Sequence, residues 1–278
     1  MRHPEHDALV DTVRGWYAQS YPDMGYHREE RQFGFYSRNV RVGSARMNCV
    51  TLRPPSPFDP AAFISDLHQY YTGQRVQIWV DDPCEAERIG PLLEANGCSR
   101  GTTTVYLAHV GTPPRANAPP GVTVAPVREA DVDEYARVKL MACSSDESQP
   151  SPEDITANAA ILSAEMSGCG RFSLARQGAE AVTVVAWYEG PPDRFIFQLA
   201  TRLPFRRRGI ARYLICSAVL EASLRGHRST IINADMSDTI VDFYRRLGFT
   251  DQVLCRQAYL FLGDEVQQEA GADGEAPR

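Results

Sequence analysis

Arg206-Arg207-Arg208-Gly209 lies between an apolar, β-prone run, Phe195–Thr201, and a helical pattern that opens at Ile210. The chemistry such a turn can do is to hold an anion. A helix start leaves backbone N–H groups without partners, and its dipole is positive there. Gly209 has no side chain, so a ligand can approach the backbone. With three arginines in front of it, the turn suits a phosphate or pyrophosphate. The same residues also fit a solvated basic turn that begins a helix, and the stretch by itself leaves both readings open.

The elements around the turn must be a strand before it and a long helix after it. The pattern Ile210, Tyr213, Leu214, Ala218, Leu220, Leu224 sets that helix. A strand over Ser229–Ala234 follows. Then comes a short helix, Thr239–Leu247, ended by Gly248.

Two motifs in this order, Arg206-x-x-Gly209-x-Ala211 and Phe243-Tyr244-Arg-Arg-Leu-Gly-Phe249, resemble those of the GNAT superfamily of acyl-CoA-dependent N-acyltransferases. The resemblance covers roughly residues 121 to 263. It implies an acyl-CoA co-substrate, acetyl-CoA or a longer relative, and no metal. It also implies that backbone N–H groups of Leu199, Ala200 and Thr201 receive the thioester and pantetheine. Arg206, Arg207, Arg208, Gly209, Ile210 and Ala211 would hold the pyrophosphate, with Arg212 adding charge and Asn233 at the end of the next strand. Tyr244 falls where the family's tyrosine stands beside the CoA sulfur. A phenol is protonated at neutral pH and can donate to a leaving thiolate; a core tyrosine packing helix to sheet would look the same in sequence. The family's strand glutamate is missing, since Phe197 and Gln198 occupy its neighbourhood. Glu147, Glu189 and Asp235 are the carboxylates left to consider as a base, and Asp238 reads as a helix cap.

The first half of the chain repeats the rhythm of the second. Leu92-Leu93-Glu-Ala-Asn-Gly97-Cys98 matches Phe243–Phe249 in pattern, and Thr51–Phe58 sits where Thr201–Arg208 sits. The first copy has Asp59-Pro60 where the second has arginine and glycine, and Leu93 where the second has Tyr244. Proline removes an N–H donor and aspartate repels phosphate, so this copy is expected not to bind CoA in the usual way. The expected fold is α/β (α+β): two tandem GNAT-like domains of the mycothiol-synthase kind, each a mixed, mostly antiparallel sheet flanked by helices. Residues 1–112 form the degenerate copy and 113–121 a proline-rich linker. Residues 122–263 form the catalytic domain and 264–278 an acidic, disordered tail.

Composition narrows partners. The net charge is −6 over 278 residues, and Lys139 is the only lysine among 29 basic residues. That excludes a general case for nucleic acid or membrane. Seven cysteines, odd in number and without CxxC spacing, give no metal framework and fit a reduced cytoplasmic protein. Cys143 and Cys169 fall near predicted loops, but neither has an evident base to activate it. The acceptor is expected to be the amine of a small molecule, met by the polar, acidic loop 142–152, with Ser145 and Glu147 as contacts. A donor carried on an acyl carrier protein, or a non-catalytic CoA-binding scaffold, are the competing readings. Oligomeric state is not legible.

Overall fold

The structure is a computed structural model. It describes residues 9–10, 12–14, 26–39, 48–72, 74–144, 146, 148–168, 170–190, 192–236 and 239–262. The acidic tail expected over 264–278 falls outside these residues. The described residues form two compact units that are interleaved in sequence. The larger gathers Tyr106–Ala234 and Thr239–Val253 with the described residues before Met24; the smaller gathers Gly25–Val105 and the chain from Leu254.

In the smaller unit, β1 (Tyr26–Arg31), β2 (Gly34–Asn39) and β3 (Cys49–Leu52) form an antiparallel meander. Helix α1 (Pro60–Tyr71) then leads to β4 (Val76–Val80), which runs parallel to β3. Helix α2 (Pro83–Ala95) and the strand β5 (Cys98–Val110) follow. The last strand of the chain, β11 (Phe249–Phe261), pairs antiparallel with β4 through Gln257–Phe261. The strand order is β1-β2-β3-β4-β11-β5. Phe63, Leu67 and Tyr71 of α1 face the core, at the i, i+4, i+8 spacing of one helical stripe. Asp81 and Arg256, both buried, join β4 to β11 through a two-point ion pair at 2.6 and 3.2 Å.

Strand β1 was not legible. Tyr-His-Arg-Glu-Glu-Arg is polar on both faces and reads as loop. Its strand conformation comes from full pairing with β2, from Tyr26↔Asn39 to Arg31↔Gly34, a tertiary cause with no local hydrophobic pattern.

The larger unit repeats that order. After β6 (Val122–Pro126) come α3 (Val132–Cys143) and α4 (Pro152–Met166). Then β7 (Gly170–Gln177), β8 (Glu180–Gly190) and β9 (Asp193–Thr201) run antiparallel to one another. Helix α5 (Ile210–Leu224) leads to β10 (Ser229–Asp235), parallel to β9, and α6 (Ile240–Arg246) follows. The order is β10-β9-β8-β7-β6. Strand β8 is buried almost without a break from Ala181 to Ala186, as a central strand must be when both faces are covered.

The buried residues of α5 are Ile210, Leu214, Ile215, Cys216, Ala218, Val219 and Ala222. This corrects the sequence pattern: Leu220 and Leu224 are exposed.

Candidate active site

Two features meet at the C-terminal end of β9. The first is a divergence of strands. Pairing between β9 and β10 runs from Ser229↔Asp193 to Ile232↔Ile196 and stops there. Beyond it β9 continues through Phe197–Thr201 and β10 through Asn233–Asp235, without pairing to each other. On its other edge β9 stays bonded to β8, but the register slips: Ala186 pairs with Gln198 and Trp187 with Ile196, leaving Phe197 as an extra residue. A bulge of this kind bends and twists its strand, and it falls where β9 leaves β10. The backbone of Leu199, Ala200 and Thr201 thus has one edge unclaimed by β10 at the place where a pantetheine arm was expected.

The second feature is the helix start. Gly209 is the N-cap of α5 with φ 82°, and no side chain caps the helix. The first intrahelical bond is Tyr213 N–H to Gly209 O at 3.0 Å, so the N–H groups of Ile210, Ala211 and Arg212 precede it. Arg207 also has positive φ, 62°, which turns successive amides toward one side of the loop, as anion-binding nests do. Only glycine takes such angles without cost, so Arg207 holds a strained backbone.

The arginines divide their work. Arg206 donates Nε to Thr201 O at 2.9 Å and Nη2 to Ala142 O at 2.8 Å. It therefore ties the loop to the end of β9 and to the end of α3, and can offer a phosphate its charge more than its N–H groups. Arg208 leans on the Phe205 ring, 5.1 Å from its centre, and reaches Gln177 at 3.3 Å. Arg207, Arg208 and Arg212 are all exposed.

Tyr244 is buried on α6, 6.1 Å ring to ring from Phe249 and 5.5 Å from Phe243. Asn233 is half-buried on the diverging part of β10. Ser145, Glu147 and Asp238 lie outside the described residues. Between the first two, Asp146 accepts from Ser144 Oγ at 2.5 Å and from Ser148 N–H at 3.0 Å. Those bonds hold its carboxyl down to about 2, so the loop after α3 keeps a negative charge across the physiological range.

Of the carboxylates considered as a base, Glu189 is already engaged. It accepts from Arg194 at 2.6 Å, from Arg225 at 2.9 Å and from Trp187 Nε1 at 3.2 Å. Burial pushes its carboxyl up, but the Trp187 bond and the charges of Arg194, Arg225 and Arg171 outweigh it and leave the group below its usual range. Such a carboxylate is a poor proton acceptor at neutral pH.

Sequence reasoning missed Glu165. It sits on the last turn of α4, and burial raises its carboxyl to about 7 against the opposing charge of Lys139. Its charge also acts on Tyr135 of α3, whose phenol is pushed up mainly by burial. Tyr135 OH in turn donates to Gln198 Oε1, 3.0 Å away, on the residue after the bulge. Tyr135 and Gln198 therefore link α3 to the open stretch of β9. The signal is desolvation by packed helices, which no spacing in the chain reveals.

Comparison with known proteins agrees with this geometry. Residues 142–257 match the family model of the acetyltransferase (GNAT) domain. This stretch holds the diverging strands, the arginine–glycine loop and the tyrosine helix. Whole-chain likeness extends to solved structures. A GCN5-related N-acetyltransferase from Kribbella flavida is 17% identical, with 93% of this chain and 98% of that chain covered and a TM-score of 0.61. A functionally unknown conserved protein from Staphylococcus epidermidis is 13% identical, covers 89% and 97%, and has a TM-score of 0.62. A tandem GNAT protein from the clavulanic acid biosynthesis pathway is 8% identical, covers 82% and 78%, and has a TM-score of 0.57. At these identities the likeness is one of fold. A search of curated proteins finds no match.

Proposed function

We propose that the chain is an N-acyltransferase that moves an acyl group, most simply acetyl, from acyl-CoA to the amine of a small molecule. The observation that carries this reading is the opening of β9 from β10 beside the uncapped start of α5. The free strand edge receives the pantetheine and thioester, and the amides of Ile210 to Arg212 with the positive-φ loop receive the pyrophosphate. Arg207, Arg208 and Arg212 add charge from the surface.

In the reaction, the neutral amine attacks the thioester carbonyl carbon. A C–N bond forms, the carbonyl becomes an oxyanion, and the C–S bond then breaks. Backbone N–H at the bulge stabilises the oxyanion. A base must take the amine's proton, and Glu165, whose carboxyl is raised to about 7, is the candidate in this unit. The departing thiolate takes a proton from Tyr244. The acidic turn at Asp146 favours a cationic acceptor, which gives up its extra proton before attack.

Titration calorimetry with acetyl-CoA tests the donor site, and thiol release over an amine panel tests turnover. Micromolar binding with release for at least one amine is the expected result. Binding without release over a broad panel would convert the reading to a CoA-binding scaffold. The exposed arginines also favour a second donor, an acyl group on the phosphopantetheine of an acidic carrier protein. Transfer from a loaded carrier but not from free acyl-CoA would select it.

A further inference from the structure

A cavity of about 370 Å³ opens in the larger unit at the other end of β9. Its wall is made by Met166 at the end of α4, Arg171 and Phe172 of β7, Trp187 of β8, and Glu221 with Arg225 at the C-terminal end of α5. Helix α5 spans 15 residues, so this end lies about 22 Å from the helix start that faces the pyrophosphate site. The volume is that of an ordinary small-molecule pocket. Gly170 makes room for it: a Cβ there would come within 2.8 Å of the Phe172 ring.

The charges of the wall are unevenly matched. Arg225 pairs with both Glu189, at 2.9 Å, and Glu221, at 2.7 Å. Arg194, fully buried behind Trp187, pairs with the same two carboxylates at 2.6 and 3.2 Å, and its guanidinium lies 5.1 Å from the Trp187 ring centre. Both carboxylates are therefore satisfied by two guanidinium groups. Arg171 is the third cation. It donates Nη1 to Gly168 O and Gly170 O and forms no ion pair among the described residues. Three positive groups against two negative ones leave a single excess positive charge, held on Arg171 beside the indole of Trp187, the ring of Phe172 and the thioether of Met166.

We propose that this cavity is a second ligand site, for a small carboxylate carried on a flat apolar body. The carboxylate pairs with Arg171, and the body lies against Trp187, Phe172 and Met166. A cationic ligand finds no unpaired carboxylate here. A neutral one forgoes the contact with Arg171. The inference rests on the cavity and its charges, not on acyl transfer.

The test uses the full chain with benzoate, indole-3-acetate and neutral benzamide as probes, followed by calorimetry and by tryptophan fluorescence. Saturable binding of at least one carboxylate is expected, with benzamide much weaker. Arg171→Gln, a change at an exposed position, should weaken the carboxylate about tenfold, the value of one charge-assisted contact. Gly209→Asp, at the far end of α5, should leave it unchanged. No saturable binding of either carboxylate overturns the proposal. So does equal binding of benzamide, or unchanged affinity in Arg171→Gln. Loss of binding in Gly209→Asp would put the carboxylate at the pyrophosphate site and overturn it as well.

Discussion

The segments β3–α1–β4 and β9–α5–β10 are the same piece of topology: a strand, a helix, and a second strand parallel to the first. They differ at the two places where a ligand would enter. At the start of α1, Asp59 turns its own carboxylate inward and accepts from Ala61 N–H at 3.0 Å and Ala62 N–H at 3.1 Å, while Pro60 has no N–H to give. The anion site is filled by the chain itself. At the start of α5 there is no side-chain cap and the adjoining loop is basic. Between the strands the contrast is as plain. β3 and β4 pair at Cys49↔Gln77, Val50↔Ile78 and Thr51↔Trp79, and β3 ends one residue later. β9 runs on for Phe197–Thr201 after its pairing with β10 stops. One frame can thus be closed or opened by a cap and a bulge.

The open copy also carries α3 and α4 between β6 and β7. If α4 supplies the proton acceptor, Glu165→Gln should lower kcat by about a hundredfold or more. It should also remove the limb of the pH–rate profile near 7. An unchanged profile would take Glu165 out of the chemistry. Stability gives an independent readout. The folded-state carboxyl is raised from 4.5 to about 7, so the folded protein binds the proton more tightly than the unfolded chain. Its contribution is full below 4.5 and is lost as pH rises to about 7. The Tm of Glu165→Gln relative to the native chain should therefore increase across that window.

Gly209→Asp converts the open helix start into a copy of the closed one. The new carboxylate would compete for the same amides and repel phosphate, weakening acetyl-CoA by about 3 kcal/mol, or about a hundredfold. Calorimetry reads the effect directly. Unchanged affinity would mean that the phosphates bind elsewhere and that the contrast between α1 and α5 has no bearing on the ligand.

Asp59→Ala runs the comparison backwards. Loss of the cap should cost about 1 kcal/mol of stability, read as a drop in denaturant midpoint. It should not create a second CoA site, because Pro60 still lacks a donor and β3 still closes on β4. A binding stoichiometry of two would show that the cap alone keeps the first copy silent.

Much of this was visible in the residues, and what was not has a common cause. The turn at Arg206–Gly209 is written locally, in glycine, arginine and a change of hydrophobic period, so its place between β9 and α5 is legible. Asp59-Pro60 is likewise a local signature, and it caps α1 as such a pair should. The features that escaped depend on neighbours distant in sequence. β1 is a strand because β2 pairs with it. The bulge at Phe197 is defined only against β8. Glu165 is raised by the helices around it, and Arg206 is claimed by carbonyls at residues 142 and 201. Even the face of α5 was misread at Leu220 and Leu224, where apolar residues are left in solvent.

The smallest effect separates shape from charge within the open copy. Arg207 holds a backbone angle that suits glycine. Arg207→Gly should relieve that strain, an effect offset in part by the greater freedom of the unfolded chain, for a net gain of about half a kcal/mol. The loop should keep its form, since Arg206 still ties it to Thr201 and Ala142. Acetyl-CoA should then bind only a few-fold more weakly, the share of one exposed charge. Together, a rise in Tm and a small loss of affinity would assign the pyrophosphate to the backbone amides. A large loss would assign it to the side chain, and would mean that the openness of α5 matters less than the arginines in front of it.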